Sequence, residues 1–574
     1  LEDSQEFTAT GAEYDSLVSE YGSLAKDGFS QDKKKTLLVA TEQRIVDEFR
    51  LDANNAAETL FNLAVVYQSL IEHVTKYRKF IDEHILWIRS TDPFGIADWK
   101  SVVDQTKRLF DLSKWREIPA RIARDFREHT WGYITAILSV LLLAAYTTKM
   151  RQHVARAGAL AVKSTTTSFM PTFQTILLCL LLASPLALIH LLLGWRLLSI
   201  ADDEPFVSAC GWGLLVSARY FFPLEVLRQI ARTGGLAENH FQWSSHSTGV
   251  LRNQLRWLID LAVPCVGLYA LVVNHTELRA EEALGRVLFG ALLFMCSIFL
   301  INALHPRHGV LREYLQANSG GWIDRLRFVW YTGLCSAPIV LLGMSLMGYH
   351  YTSTRLAMHL HTSLMTLVGL LLLYCIICRW LLLRKRTLIL QQARQRLEEA
   401  RRRDSDNSPV VQATTASVPA DLTDLSQINA QTIRLVSSTL VFAAIAAIAF
   451  IWSSVLPAVG ALDSVKLWTV TGATPGEKLP VTLANLLLAI PAAIMTIVAA
   501  KNLPGLLEIA LLQHLPIENA VRYAITSISR YTILMLGIAM TFNSLGVRWA
   551  SIQWLVAALG VGLGFGLQEI FANF

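Results

Sequence analysis

Charge is scarce in this sequence. Asp, Glu, Lys and Arg make up 17% of its 574 residues, while 53% are hydrophobic; an ordinary soluble domain is about a quarter charged. The shortage is uneven. Charges thin out after Trp131, where apolar residues come in long blocks. This excludes a soluble globular protein and leaves a multi-spanning membrane protein with a smaller polar part. Cysteine is sparse too, and none of the seven precedes Cys179, so no disulfide holds the polar N-terminal region together. All seven lie in apolar blocks and read as small apolar fillers. Cys375 and Cys378 have redox or metal spacing, but no second pair and no histidine at ligand distance accompanies them, so no metal is expected. HExxH, Walker-lysine and GxSxG patterns are all missing. An enzyme is therefore not expected, nor a cofactor, nor a nucleic-acid partner. The lack of a convincing internal repeat counts against an inverted-repeat transporter. Leu1 and the apolar residues before Phe574 read as cut ends, so a longer chain is expected.

What is present falls into blocks. Residues 1–128 are polar and helix-patterned. Leu60, Leu63, Tyr67, Leu70, Val74, Tyr77 and Ile81 alternate spacings of three and four, the seam of a helix packed lengthwise on a partner. The stretch around Thr36–Phe49 or another subunit is the expected partner, and "STDPFG" (Ser90–Gly95) ends the helix. From Trp131 onward about eleven apolar stretches reach the roughly 20 residues needed to cross a bilayer. They fall near 131–148, 171–194, 206–224, 257–274, 284–304, 328–348, 356–378, 435–456, 481–500, 525–545 and 552–574, with Pro185, Pro264 and Pro338 interrupting three of them. The fold class is all-α and polytopic.

The connections alternate in sign. Lys149, Arg151, Arg156 and Lys163 fill the first; Asp202, Asp203 and Glu204 the second; Arg228, Arg232, Arg252 and Arg256 the third; Glu277, Glu281 and Glu282 the fourth. By the positive-inside rule the basic connections are cytoplasmic, the N-terminal region lies outside, and the last helix runs inward. The division expected is a periplasmic helical region over 1–128, seven membrane helices over 129–378, a basic helix and flexible linker over 379–434, a further membrane helix and periplasmic loop over 435–480, and a core of three helices over 481–574. Arg219, Glu225 and Asp260 lie toward the cytoplasmic ends of spans, where Arg219, Arg228 and Arg256 are candidates for lipid head-group contact. His240 and His246 flank "FQWSS" and read as exposed loop residues.

The end of the chain, "ALGVGLGFGLQEIFANF", has Gly560, Gly562, Gly564 and Gly566 on alternate positions. A lone apolar strand cannot cross a membrane, so the segment is a helix. On a helix Gly560 and Gly564 form one stripe, and Gly562 and Gly566, extended by Ala558, form another nearly opposite. Val561 and Phe565 lie between the stripes on one side; Leu559, Leu563 and Leu567 lie on the other. Two small-residue faces admit a close neighbour on each side. Head-to-tail repetition of that contact closes a ring with Val561 and Phe565 on its axis, and such a hydrophobic constriction stops ions by dewetting. Tight packing in an ordinary bundle is the other reading of the same glycines.

This segment resembles the pore-lining helix of the small-conductance mechanosensitive channel superfamily, in its Gly-rich run, the Leu567–Gln568 pair and the Asn573–Phe574 pair. The long N-terminal region and the helix count resemble the large bacterial members, of miniconductance or potassium-linked type. The resemblance implies a homoheptamer in the inner membrane. It opens under tension and releases ions and small osmolytes on hypo-osmotic shock. Its pore-sealing positions fall on Val561 and Phe565, and its helix-contact positions on Ala558, Gly560, Gly562, Gly564 and Gly566. It also implies a cytoplasmic vestibule with a β-domain after the pore helix, which this sequence does not include. Gln568 and Glu569 would lie at the pore exit or kink; Glu569 stands where the small member has a kinking glycine, and a glutamate does not bend a helix as glycine does. A secondary transporter or a lipid or solute flippase is the alternative function.

Overall fold

The computed structural model describes residues 19, 31–163, 165–202, 204–276, 282–405, 420–471, 478–510 and 519–545, and positions 553, 557, 558, 560–562, 565 and 568 beyond them. The chain divides into two compact units, Leu1–Ile81 and Asp82–Phe574.

The first unit is carried by one continuous helix, α1 (Gln31–His84). Thr36–Phe49 belongs to this helix, so it cannot fold back as the partner of the seam. The reason is local: no glycine or proline occurs between Gln31 and His84, and nothing breaks the run. Leu60, Leu63, Tyr67, Leu70, Val74, Tyr77 and Ile81 are all exposed along it.

The second unit opens with two shorter helices, α2 (Ile96–Leu109) and α3 (Leu112–Glu128). Asp98 accepts the Gly95 amide at 2.6 Å at the start of α2, and Asp111 accepts the Ser113 amide at 3.0 Å at the start of α3. Long helices follow: α4 (Thr130–Val162), α5 (Met170–Ser199), α6 (Pro205–Ile230), α7 (Ser245–Asn274), α8 (Ala283–Ala303), α9 (Arg327–Leu346), α10 (His350–Ser405), α11 (Ala420–Trp452), α12 (Leu483–Ala510) and α13 (Asn519–Ser544). Pro171 and Pro205 sit in the first turns of α5 and α6, where a missing N–H costs nothing. Pro185, Pro264 and Pro338 stay inside unbroken helices. Beside Pro338, Ser297 Oγ donates to the Cys335 carbonyl at 3.2 Å, the kind of neighbour that makes an intrahelical proline tolerable.

Among the described residues, nine of these helices are long and apolar enough to cross a membrane. The stretch 206–224 is not one of them by hydropathy, although α6 is a full-length helix there. It is the central helix of its group and carries buried small and polar residues, among them Gly211, Gly213, Ser217 and Glu225. The span expected at 552–574 lies largely outside the described residues.

Each long helix packs on the next in sequence, and α6 packs on both α5 and α7. Glycine decides these approaches. A Cβ on Gly211 would stand 3.0 Å from the Gly194 carbonyl, and one on Gly213 would stand 2.8 Å from that of Gly267. Apolar clusters fill the layers between. One joins Leu197, Phe206, Val207 and Cys210 to Leu271, Val272 and Leu284; another joins Phe221 to Leu255, Ile259 and Val263. The group from α4 to α10 is closed by α10 returning to α4: buried Arg379 donates to the Ala161 carbonyl at 2.8 Å.

Between α11 and α12 the expected loop is structured. A short helix (Leu456–Val459) and a 3₁₀ turn lead into a hairpin of β1 (Lys466–Thr471) and β2 (Lys478–Thr482), pairing Trp468 with Val481 and Val470 with Leu479. Thr482 Oγ1 ties its base to Asp463 at 2.7 Å. On the same side, the stretch before α2 is stitched to the ends of α9 and α10. Ser90 and Phe94 amides donate to the Gly348 and Leu346 carbonyls at 3.0 and 2.8 Å, and Trp87 Nε1 donates to the Ala458 carbonyl at 2.5 Å. Gly348 has φ +97°, and a side chain there would meet the Thr91 carbonyl.

Candidate functional site

The described positions of the glycine-bearing segment are helical: Gln553, Ala557, Ala558, Gly560, Val561, Gly562, Phe565 and Gln568. All of them are exposed. Val561 and Phe565 are 59% and 71% accessible, one turn apart. A Cβ built on Gly560 or Gly562 meets no atom within 4 Å. Among the described residues, nothing covers the apolar pair or the Gly560 and Gly562 positions beside it. Gly564, Gly566 and Glu569 lie outside the described residues. The two helices ahead of the segment pack tightly: a side chain at Gly537 of α13 would collide with Thr496 of α12.

The charged candidates separate. Arg219 and Arg256 are exposed. Arg228 is half-buried and held by Glu225, its Nε and Nη2 donating to the two carboxylate oxygens at 2.7 Å each. Gln229 donates to the same carboxylate at 2.6 Å, so buried Glu225 is fully engaged. Asp260 is exposed. Sequence reasoning missed the company Arg228 keeps. Burial, and then the charges of Arg151, Arg228 and Arg252, lower the pKa of Arg232, so these arginines share one neighbourhood. The first and third connections, both basic, carried that signal.

His240 corrects the exposed-loop reading. It is buried in a π-helical turn (Leu236–His240), where it meets Thr172 Oγ1 at 2.9 Å and Thr175 Oγ1 at 3.4 Å. Burial first, and the Arg379 charge second, lower its pKa to about 4, so the ring is neutral at pH 7. Its neighbours Leu236 and Ala237 pack against Cys179 and Ile230, which pulls the loop inward. His246 is partly buried, with Nε2 at 3.3 Å from the His308 carbonyl.

A second polar cluster was also unforeseen. Asp125, at the end of α3, is buried and takes Arg196 Nε at 2.9 Å, Arg196 Nη2 and the Tyr133 hydroxyl at 2.6 Å. The Arg196 guanidinium holds its carboxyl below the usual range. With Glu128 and His129 it forms a group of possible metal ligands. Both Asp125 oxygens are already committed to Arg196, and a guanidinium at that distance repels a cation.

Helices of this length and hydropathy suit only a lipid solvent, so the chain is a multi-pass membrane protein. A family model described as "Mechanosensitive ion channel inner membrane domain 1" matches residues 130–468, from the start of α4 into β1. The chain belongs to this mechanosensitive ion channel family. A second model, "Mechanosensitive ion channel, transmembrane helices 2/3", matches 527–568 and so ends within the glycine-bearing segment. The chain is 29% identical over 546 residues to the miniconductance mechanosensitive channel MscM of Escherichia coli (strain K12), covering 93% of this chain and 49% of that protein. It is 28% identical over 554 residues to the mechanosensitive channel MscK of the same organism, covering 94% and 46%. An uncharacterized MscS family protein of Haemophilus influenzae is 29% identical over 371 residues, 62% of this chain and 32% of its own. The chain thus spans about half the length, or less, of the curated relatives it matches.

Proposed function

We propose that the chain forms the membrane part of a mechanosensitive channel of the inner membrane, opened by tension. Val561 and Phe565 carry the reading: an apolar pair one turn apart, exposed beside Gly560 and Gly562, with no described residue against them. Copies of the same helix are the cover such a surface needs. Arranged head to tail they close a ring, a heptamer as the family resemblance implies. Ala558, Gly560, Gly562, Gly564 and Gly566 make the contacts, and Val561 and Phe565 face the hole. Water leaves so narrow an apolar constriction, and ions are stopped with it. Tension favours whichever state occupies more membrane area, so a wider ring opens as tension rises. Ions and small osmolytes then leave the cell past Gln568 and Glu569.

The basic connections lie in the cytoplasm and residues 1–128 in the periplasm. Residues 129–378 supply seven helices around a core at 481–574, joined by the basic helix and linker of 379–434 and by the membrane helix and periplasmic loop of 435–480. Exposed Arg219 and Arg256 meet lipid phosphates, with Arg228 behind its carboxylate partner.

Patch recording from tensed membranes holding the full chain tests this. Unitary currents should rise steeply with tension, and Phe565→Ser or Val561→Ser should open at lower tension, because a hydroxyl wets the constriction. Saturable uptake without unitary currents, the behaviour of a secondary transporter or flippase, would overturn the reading.

A further inference from the structure

A cavity of about 410 Å³ lies between α4 and α5, away from the glycine-bearing segment. Its walls are almost wholly apolar and include Ala136, Val140, Leu141, Leu192 and Leu193. Its mouth is polar: His129, Tyr133, Trp195 and Arg196 stand there, at the junction with α3.

Three features define what fits. First, none of the most apolar stretch of α4 is buried by protein, so lipid is the medium next to this wall. Second, the lining on α4 runs from His129 to Leu141. At 1.5 Å per residue that is about 18 Å, close to half of the roughly 30 Å hydrocarbon thickness. The groove thus has the depth of one leaflet. Third, the mouth has the chemistry of a head-group level. Trp131 and Trp195 are exposed there, as interfacial tryptophans are. Arg196 spends Nε and Nη2 on Asp125 and is 18% exposed, which leaves Nη1 as a donor. Arg124 and Arg127 on α3 are exposed, one residue before and two residues after Asp125, while the exposed Glu128 carboxylate lies with Asp125 and His129 at the same mouth.

We propose that this groove is a binding site for one glycerophospholipid of the leaflet on the α3 side. One acyl chain lies between α4 and α5, and the phosphate sits at Arg196. Asp125 holds the guanidinium in place across the mouth and is a positioning residue. The site does not depend on channel activity.

The test uses the full chain in nanodiscs containing a phosphatidylethanolamine with a diazirine midway along one acyl chain. After photolysis, adducts should concentrate on peptides containing Val140–Leu141 and Leu192–Leu193. Ala136→Trp, which fills the groove, should cut that labelling about tenfold, the loss expected when roughly two chain methylenes are displaced. Gly132→Leu is the second variant: a Cβ at Gly132 meets nothing within 4 Å, so the fold tolerates it while the mouth narrows. A diacylglycerol probe carrying the same diazirine should label these peptides less, because it lacks the phosphate. Labelling spread evenly onto the Leu138 and Leu142 face, or unchanged in both variants, overturns the proposal. Equal labelling by diacylglycerol overturns the role of Arg196.

Discussion

At the scale of single residues, two buried polar groups set conditions for stability. Asp125 and Arg196 form a pair in which the carboxylate is 4% exposed. Removing one partner strands the other, so Arg196→Ala should destabilise by about 3–5 kcal/mol, read as a lower midpoint in thermal unfolding of the solubilised protein. The pair's stabilisation is present above the ordinary carboxylate pKa near 3.9 and is lost as pH falls through the lowered folded value. His240 acts over a different window. Its folded pKa of about 4 lies below the ordinary 6.5, so the unfolded chain binds the proton more readily. Stability is complete above about pH 6.5 and falls toward pH 4, by about 3 kcal/mol in all. Thermal midpoints measured from pH 7 to pH 4 should show this fall in the native chain, and His240→Gln should make it shallower.

At the scale of elements, glycine fixes which helices approach. Gly213→Leu forces a side chain onto the Gly267 carbonyl and should cost about 1–3 kcal/mol or more through overpacking. Gly343→Ala and Gly369→Ala, where a Cβ meets nothing within 4 Å, should hold or raise the thermal midpoint. The hydrophobic blocks made most long helices legible, because twenty apolar residues have few alternatives. The α6 region was legible as an apolar stretch, but not as the central helix packed through Gly211 and Gly213, since that depends on what Gly194 and Gly267 bring to it. The β1–β2 hairpin was lost for a related reason: its strands are short, and the bond that closes its base joins Asp463 to Thr482 across 19 residues. The burial of His240 was hidden because "FQWSS" is polar enough for a loop, while Thr172 and Thr175, which hold the ring, lie about 65 residues earlier. Periodicity alone placed Val561 and Phe565 on one face, and both are exposed.

At the scale of the whole molecule, the proposed ring makes a sharp demand. Gly560 of one copy should meet the Gly562 stripe of the next. In membranes, the double variant Gly560→Cys with Gly562→Cys should oxidise into a ladder of covalent products extending past the dimer on a non-reducing gel. Products that stop at the dimer would refute head-to-tail closure. The helix α10 runs without a break from His350 to Ser405. Its apolar run ends at Leu383, before Arg384, Lys385 and Arg386, which leaves about 30 Å of rod beyond it at 1.5 Å per residue. A tilt of about 10° inside the membrane therefore sweeps the far tip sideways by about 5 Å. The rod is an oar with its rowlock in the lipid, and a pair of spin labels near its blade would register small rotations as large changes of distance.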